Sequence, residues 1–156
     1  MEEVLHWYAI KVFWNRTEAV KEMLDERGIE YYAQSIMPSF LFLHTTPKTI
    51  ILLRQTEFNR FYVYIDLVTR IPSPIPDREI EIFKIVTSAG TTGFEFLGED
   101  PSLYQKGDKV RVTDGPFKVA EGYVRRIRKD RRLVITISGI AAIATTYIPM
   151  ALLEKI

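Results

Sequence analysis

The stretch from residue 106 to residue 124 combines a strand pattern with a tight turn, and few folds accommodate both. The run Lys109-Val110-Arg111-Val112 alternates charged and apolar side chains, which is the period of a strand with one buried face. Asp114-Gly115-Pro116 then predicts a turn, because aspartate can bind its own backbone, glycine allows a positive φ and proline fixes φ. Gly122 allows the returning strand to bend or to approach another backbone closely. We therefore expect a small, strongly bent β-barrel.

Composition restricts the class of protein. The 156 residues suffice for one ordinary domain or two small ones, and a hydrophobic content of 47% argues against disorder over most of the chain. The 21 basic and 20 acidic side chains give a formal net charge of +1, which argues against a protein that coats nucleic acid by bulk charge. Because cysteine is absent, thiolate zinc sites, disulfides and cysteine nucleophiles are excluded.

The chain lacks the patterns of targeting and membrane segments. Met1-Glu2-Glu3 is acidic, whereas a signal peptide has a basic start and an apolar core. No apolar run approaches the length of a bilayer span. We expect a cytoplasmic protein with no membrane partner.

The first half of the chain alternates strand and helix patterns. An apolar, aromatic-rich strand from Val4 to Phe13 precedes a helix that Asn15 or Thr17 would cap and Gly28 would end. Further strands are expected over residues 29–36, 40–44 and 61–65, with helices starting at Pro47 and Asp77. The order β-α-β-β-α-β-α predicts an antiparallel ferredoxin-like sheet covered by helices.

These patterns predict an α+β protein with an N-terminal domain over residues 1–90, a linker over 91–104 and a barrel over 105–156. The linker is rich in glycine and polar residues, with one short strand expected at Phe94-Glu95-Phe96. Residues 138–146 are unexpectedly apolar for a barrel surface, and we interpret them as a second contact patch.

Several of these stretches resemble the NusG family of transcription elongation factors. Trp7-Tyr8-Ala9-Ile10-Lys11-Val12 resembles the opening of its N-terminal domain, and Met37-Pro38-Ser39-Phe40-Leu41-Phe42-Leu43 resembles its third strand. Ile75-Pro76-Asp77-Arg78-Glu79-Ile80 is similar to the start of its last helix, and residues 106–124 resemble the KOW motif. The resemblance covers nearly the whole chain in the right order. It implies a ferredoxin-like N-terminal domain followed by an SH3-like KOW barrel.

The sequence also departs from housekeeping members of the family. Only Ser35, Ile36 and Met37 lie between Gln34 and Pro38, where those proteins carry a longer, often basic segment. The compact N-terminal domain and the ending Phe42-Leu43-His44-Thr45-Thr46 are similar to the specialised paralogues of the RfaH and UpxY types. The resemblance therefore implies a specialised antiterminator, although general elongation factor and operon-specific antiterminator are both left open by the sequence.

The family's N-terminal domain binds the clamp helices of RNA polymerase through an apolar depression. The positions that this resemblance assigns to polymerase binding are Lys11, Phe13, Trp14, Phe40, Phe42, His44, Thr45 and Thr46. A similar His-Thr-Thr run of RfaH touches the far side of the polymerase cleft, although it lies at the next helix and not at the end of a strand.

Alternation adds an independent argument about exposure. Phe13 and Trp14 are adjacent, so one strand cannot point both inward. Phe40 and Phe42 share one face of their strand while the leucines between and after them take the other. A sheet that is apolar on both faces needs a packing partner on each face. The helices pack on one face, and polymerase or the protein's own C-terminal domain could pack on the other.

Two further groups are candidates for binding. Trp14, Asn15, Arg16 and Lys21 occupy the corner with which RfaH-like paralogues read non-template DNA, and equally they fit a capped helix with solvated charges. In the barrel, Arg125, Arg126 and Arg128 belong to a run of six cations within eight residues. That run fits RNA, DNA or an acidic protein surface, or a solvated hairpin tip that discourages edge pairing.

Phe117 matches an aromatic residue with which the family's KOW domain recruits the termination factor Rho or a ribosomal protein. It also fits the plug of a small barrel. Some relatives refold this domain into a helical hairpin, but the β-branched run Leu133-Val134-Ile135-Thr136-Ile137 followed by Gly139 favours the barrel.

No catalytic pattern is present in the sequence. The two histidines, His6 and His44, form no His-x-x-x-His motif, and no Gly-x-Ser-x-Gly or phosphate-loop motif occurs. We expect a monomeric, non-enzymatic protein without cofactor or metal that binds RNA polymerase. The alternative is a ribosome- or RNA-binding KOW protein that acts in translation.

Overall fold

The computed structural model describes residues 4–34, 37–88, 95–99, 107–127, 130–137 and 140–156. The chain divides into two compact units, Met1–Asp77 and Arg78–Ile156. The division falls at the start of the last helix, whereas the sequence pattern groups that helix with the N-terminal domain. Among the described residues, no helix is long and apolar enough to cross a membrane.

The first unit contains a four-stranded sheet and two helices. Its elements are β1 (His6–Val12), α1 (Thr17–Glu26), β2 (Glu30–Ala33), β3 (Phe40–Thr45), α2 (Pro47–Thr56) and β4 (Phe61–Val63). The strand order is β2-β3-β1-β4, and every neighbouring pair is antiparallel. This is the ferredoxin-like order that the sequence pattern predicts.

The ends of the two helices follow different local signals. The Thr46 side chain accepts a hydrogen bond from the Thr49 amide at 3.2 Å, and Pro47 occupies the first turn of α2 as predicted. The predicted cap of α1 is wrong, because Arg16 holds the N-cap position without a side-chain cap bond. Thr17 instead donates its hydroxyl to the Pro38 carbonyl at 3.1 Å, which ties the start of α1 to the turn before β3.

The helices cover one face of this sheet. The register pairs Ile10 with Leu41 on one side and with Val63 on the other, so these side chains meet in a single layer. The buried core that they share with the helices consists of Tyr8, Ile10, Val12, Val20, Met23, Leu24, Leu41, Leu43, Ile50, Leu53, Phe61 and Val63. Burying each such aliphatic or aromatic side chain contributes about 1.5–3 kcal/mol to folding.

The second unit contains one helix and a six-stranded antiparallel sheet. Its elements are α3 (Asp77–Ser88), β5 (Glu95–Gly98), β6 (Lys109–Val112), β7 (Glu121–Ile127), β8 (Asp130–Ile137), β9 (Ala141–Tyr147) and β10 (Leu153–Lys155). The strand order is β10-β6-β7-β8-β9-β5, and the sheet forms the predicted SH3-like barrel. β5 lies within the segment expected as linker, and Phe94 lies outside the described residues.

The turn and the close approach predicted from sequence are both confirmed. Gly115 has a φ of +88°, and its amide donates to the Asp114 side chain at 2.8 Å. A Cβ added at Gly122 would overlap the carbonyl oxygen of Val134 in the neighbouring strand. The absence of a side chain at Gly122 is therefore what allows β7 and β8 to lie together.

The interpretation of residues 138–146 as a contact patch is wrong for the side chains that the structure describes. Ile140, Ala142, Ile143 and Ala144 are buried, and β9 lies between β8 and β5. The outer neighbour β5 converts an expected surface strand into an interior one.

Arg78, in α3, is hydrogen-bonded to the barrel. Arg78 Nε donates to Glu121 Oε2 at 3.0 Å, Arg78 Nη2 donates to the same oxygen, and Arg78 Nη2 also donates to the Val119 carbonyl at 3.3 Å. The hydrogen bond from Arg78 is the main reason why the pKa of Glu121 lies below its usual range, and nearby Arg111 acts in the same direction.

Candidate functional site

The second face of the first sheet, opposite the helices, carries a stripe of aromatic side chains. The register aligns Trp7 with His44 and Ala9 with Phe42 across β1 and β3. The rings of Trp7 and His44 stack with centroids 4.6 Å apart, and Glu30 Oε1 lies 2.9 Å from His44 Nδ1. This end of the stripe is thus a packed, partly polar cluster.

The other end of the stripe is partly exposed, chiefly at Tyr62. Phe40 stacks on Tyr64 with centroids 6.0 Å apart, Tyr62 meets Tyr64 edge to face at 5.2 Å, and the Lys11 ammonium lies 5.8 Å from the Phe40 ring centre. Aromatic pairs and cation–π contacts of this kind hold rings in fixed orientations. We name Lys11, Phe40, Tyr62 and Tyr64 the aromatic face.

Sequence reasoning did not select Tyr62 and Tyr64 as binding residues. Their signal is the alternation in β4, where Phe61 and Val63 are buried in the helix-covered core. Strand periodicity then directs Tyr62 to the opposite face, and it is 42% exposed.

The residues predicted to bind polymerase differ in how deeply they are buried. Phe40, Phe42 and Thr45 are buried, so their side chains support the sheet and offer little surface. The Thr46 side chain caps α2, so its hydroxyl oxygen already accepts a hydrogen bond from the first turn of that helix. Lys11, Phe13 and His44 are half-buried, whereas Trp14 is 83% exposed.

Trp14 lies in an unusual turn directly after β1. Trp14 and Asn15 both have a φ of 56°, in the left-handed region that tryptophan rarely adopts. The turn is held by two hydrogen bonds, from the Phe13 amide to the Arg60 carbonyl at 2.9 Å and from the Arg16 amide to the Phe13 carbonyl at 3.2 Å. The result is an indole ring presented to solvent at the end of the sheet.

A groove lined mostly by polar residues adjoins this turn. It has a volume of about 450 Å³ and is lined by Asn15, Thr17, Glu18, Lys21, Ala33, Gln34 and Pro38. The structure therefore brings together Asn15 and Lys21, two of the four residues predicted to bind DNA, while Trp14 and Arg16 are exposed beside them. Glu18 pairs with Lys21 at 3.4 Å and lowers the positive character of the groove.

In the barrel, the predicted partner-binding residues differ in exposure. Phe117 is buried in the connection between β6 and β7, which fits the plug of a small barrel. Arg125 is exposed, the side chain of Arg126 is not described, and Arg128 lies outside the described residues. The register sets Arg125 opposite Arg132 and Arg126 opposite Arg131, so like charges occupy two successive rungs of the β7–β8 pair.

No group of three or more histidine or carboxylate side chains that could hold a metal ion occurs among the described residues. The candidate surfaces consist of aromatic rings, a groove lined mostly by polar residues, and cations.

No protein-family model and no curated protein matches the sequence. Among solved structures, a structure of NusG from Thermotoga maritima that describes domain interaction in that protein matches with a TM-score of 0.53. The match covers 97% of this chain and 97% of that chain at 16% sequence identity. At this identity the likeness shows the fold, a NusG-like succession of a ferredoxin-like unit and an SH3-like unit.

Proposed function

We propose that this chain is a NusG-like transcription elongation and antitermination factor, which binds RNA polymerase through its N-terminal unit. The observation that supports this most is the aromatic face, on which Tyr62 is 42% exposed, with exposed Trp14 nearby, on a chain whose fold is NusG-like over 97% of its length. Aromatic anchors provide most of the energy of many protein interfaces.

The docking would follow the physics of a helix in a groove. A helix satisfies its own backbone hydrogen bonds, so its partner must supply apolar contacts and a polar rim for register. Tyr62 and Tyr64 offer apolar ring surfaces with polar tips, and Lys11 offers a cation at the edge. If the closed state of polymerase binds this surface better than the open state, binding alone shifts the enzyme toward closure and away from pausing.

The same proposal gives roles to the other candidate surfaces. Trp14, Asn15, Arg16 and Lys21 would contact non-template DNA, where stacking of a base on an aromatic ring contributes about 1–3 kcal/mol. The barrel, through Phe117 and the cations at Arg125, Arg126 and Arg128, would recruit a ribosomal protein or Rho. Tethering a second partner to the complex in this way raises its effective concentration. The chain itself would act in the cytoplasm as a monomer and catalyse no reaction.

The first test is binding of the full chain to core RNA polymerase. We expect the double variant Trp14→Ala/Tyr62→Ala to bind about thirtyfold more weakly, which corresponds to roughly 2 kcal/mol for the loss of aromatic anchors. Both side chains are exposed, so the far-ultraviolet circular dichroism spectrum should be unchanged. Phe58→Ala removes another exposed aromatic ring, in the turn after α2, and serves as the matched control. Unchanged affinity in a folded double variant would reject the aromatic face as the docking surface.

The paired arginines of β7 and β8 favour a second candidate, a ribosome- or RNA-binding protein that acts in translation. Clustered cations attract a phosphate backbone, and Arg125 of this cluster is exposed, while Arg132 pairs with Glu95 at 3.2 Å. Sedimentation with ribosomes together with failure to bind core polymerase would establish this alternative in place of the first.

A further inference from the structure

The first unit carries an apolar groove that the proposed polymerase surface does not use. It has a volume of about 190 Å³, and its lining includes Tyr8, Pro47, Ile51, Ile71, Pro72 and Pro74. This volume is below the roughly 300–1,000 Å³ typical of small-molecule pockets, and it suits a single large apolar side chain of a partner.

The groove and the exposed turn around Trp14 lie toward opposite ends of β1. His6, the first residue of β1, also lines the groove, whereas Trp14 follows the last residue, Val12. At the rise of a β-strand, the six steps from His6 to Val12 span about 20 Å. The groove is therefore a separate surface of the first unit.

A hydrogen-bonded loop next to the groove presents two apolar side chains to solvent. Leu67 is 85% and Val68 is 92% exposed. Asp66 Oδ1 accepts from the Val68 amide at 2.8 Å and from the Thr69 amide at 2.9 Å, and these backbone bonds hold the pKa of Asp66 below its usual range.

Backbone hydrogen bonds also join the two ends of this loop. The Asp66 amide donates to the Ile71 carbonyl at 2.9 Å, and the Arg70 amide donates to the Asp66 carbonyl at 2.7 Å. Arg54 of α2 donates to the Arg70 carbonyl at 3.1 Å, which joins the loop to the helix. A loop that is already ordered loses little conformational entropy when a partner binds it.

Cations adjoin the lining residues of the groove, because Lys48 follows Pro47, Arg70 precedes Ile71 and Arg54 is hydrogen-bonded to Arg70. Lys48, Arg54 and Arg70 are exposed, and within the described part of the chain no carboxylate forms a salt bridge with any of the three. The one acidic side chain in the loop, Asp66, already accepts two backbone hydrogen bonds. An acidic partner would be attracted and correctly oriented by this rim.

Three of the lining residues are prolines, which have no backbone N–H. A docked strand would find few main-chain donors at Pro47, Pro72 and Pro74. A helix needs none, because its backbone groups are satisfied internally. We propose that this groove and the adjacent loop bind an acidic amphipathic helix of another protein, with one large apolar side chain of that helix in the groove.

The test uses the full chain and two synthetic amphipathic peptides of about five helical turns. Both carry the same leucine stripe, which glutamates flank in one peptide and lysines flank in the other. We expect the acidic peptide to bind at least tenfold more tightly and to shift the backbone NMR signals of Ile51 and Ile71. Equal binding of the two peptides, or shifts confined to other residues, would overturn the proposal.

Variants make the test specific. Ile51→Ser/Ile71→Ser should weaken binding of the acidic peptide at least tenfold, whereas Phe58→Ser, beyond the other end of α2, should leave it unchanged. Lys48→Glu/Arg70→Glu should reverse the preference in favour of the basic peptide, and a preference that survives this reversal contradicts the charge argument. A dimer in sedimentation that Leu67→Ser abolishes would identify a second copy of the chain as the occupant and reject the proposed helix. Polymerase takes no part in these measurements, so their failure leaves the proposed function untouched.

Discussion

Gly122 shows how a single backbone position controls the barrel. Its missing side chain allows the backbone of β7 to lie against the carbonyl group of Val134 in β8. The sequence identified Gly122 as a place of close approach or bending, because glycine within a strand often marks one or the other. The neighbouring strand that makes the contact follows from the pairing and not from the residue itself.

We expect Gly122→Ala to lower the free energy of unfolding of the second unit by about 3 kcal/mol, because the added Cβ must push two paired strands apart. Gly115→Ala is the matched control in the same unit. Its φ of +88° is strained for alanine, but the nearest atom to an added Cβ, Leu152 Cδ1, is 3.9 Å away, so the cost should be about 1 kcal/mol. Urea titrations followed by circular dichroism measure both, and equal losses would show that the close approach is not the cause.

At the scale of elements, α3 and the barrel share an ion pair whose strength depends on pH. Glu121 has a lowered pKa, so its contribution to stability is present above the ordinary glutamate pKa and is lost as the pH falls through the lower folded value. The side chain of Glu121 is 12% exposed, which limits screening by solvent.

We expect Glu121→Gln to destabilise the second unit by about 1.5 kcal/mol at pH 7, the lower end of the usual contribution of a hydrogen bond to a charged group, because the Arg78 side chain is 49% exposed. The difference from the unmodified protein should shrink below about pH 4.3 and vanish once Glu121 is protonated in both the folded and the unfolded state. Lys155→Gln is the control, because its pair with Asp108 is exposed on both sides. A difference that stays constant from pH 7 to pH 3 would show that the charge of Glu121 is not responsible.

Elements also show where prediction from sequence stops. The local signals of α2 were sufficient to predict where this helix starts, because a capping side chain and a proline act within one helical turn. A short strand was expected at residues 94–96, but its bounds, Glu95–Gly98, and its place in the barrel depend on pairing with β9, more than forty residues later in the chain. That pairing in turn buries β9.

At the scale of the whole molecule, the balance of charge separates the two candidate functions. With a formal net charge of +1, the chain lacks the excess cations that drive non-specific nucleic-acid binding. We expect a dissociation constant for duplex DNA of mixed sequence no tighter than about 1 µM at physiological salt, measured by fluorescence anisotropy. Submicromolar binding to duplex DNA or RNA without sequence preference would instead favour the nucleic-acid-binding alternative.

The candidate binding surfaces of the first unit could be predicted only in part from the sequence. Adjacency of two aromatic residues indicated that Phe13 and Trp14 could not both point inward, and Trp14 is the exposed one. Burial of Phe42 and Thr45 could not be read from the strand pattern, because alternation assigns a face without saying whether that face is covered. The opening of the aromatic face at Tyr62 and Tyr64 likewise depends on how β4 pairs with β1.

Residue patterns predict the types and order of most helices and strands and the turn at Asp114-Gly115-Pro116. They can do so because periodicity, capping and turn chemistry act between close neighbours in the chain. The exposure of Tyr62 in the aromatic face, the apolar groove beside Leu67 and Val68, and the inclusion of residues 95–98 in the barrel required the folded coordinates. These features arise where segments distant in sequence meet, and no local pattern records which segments those are.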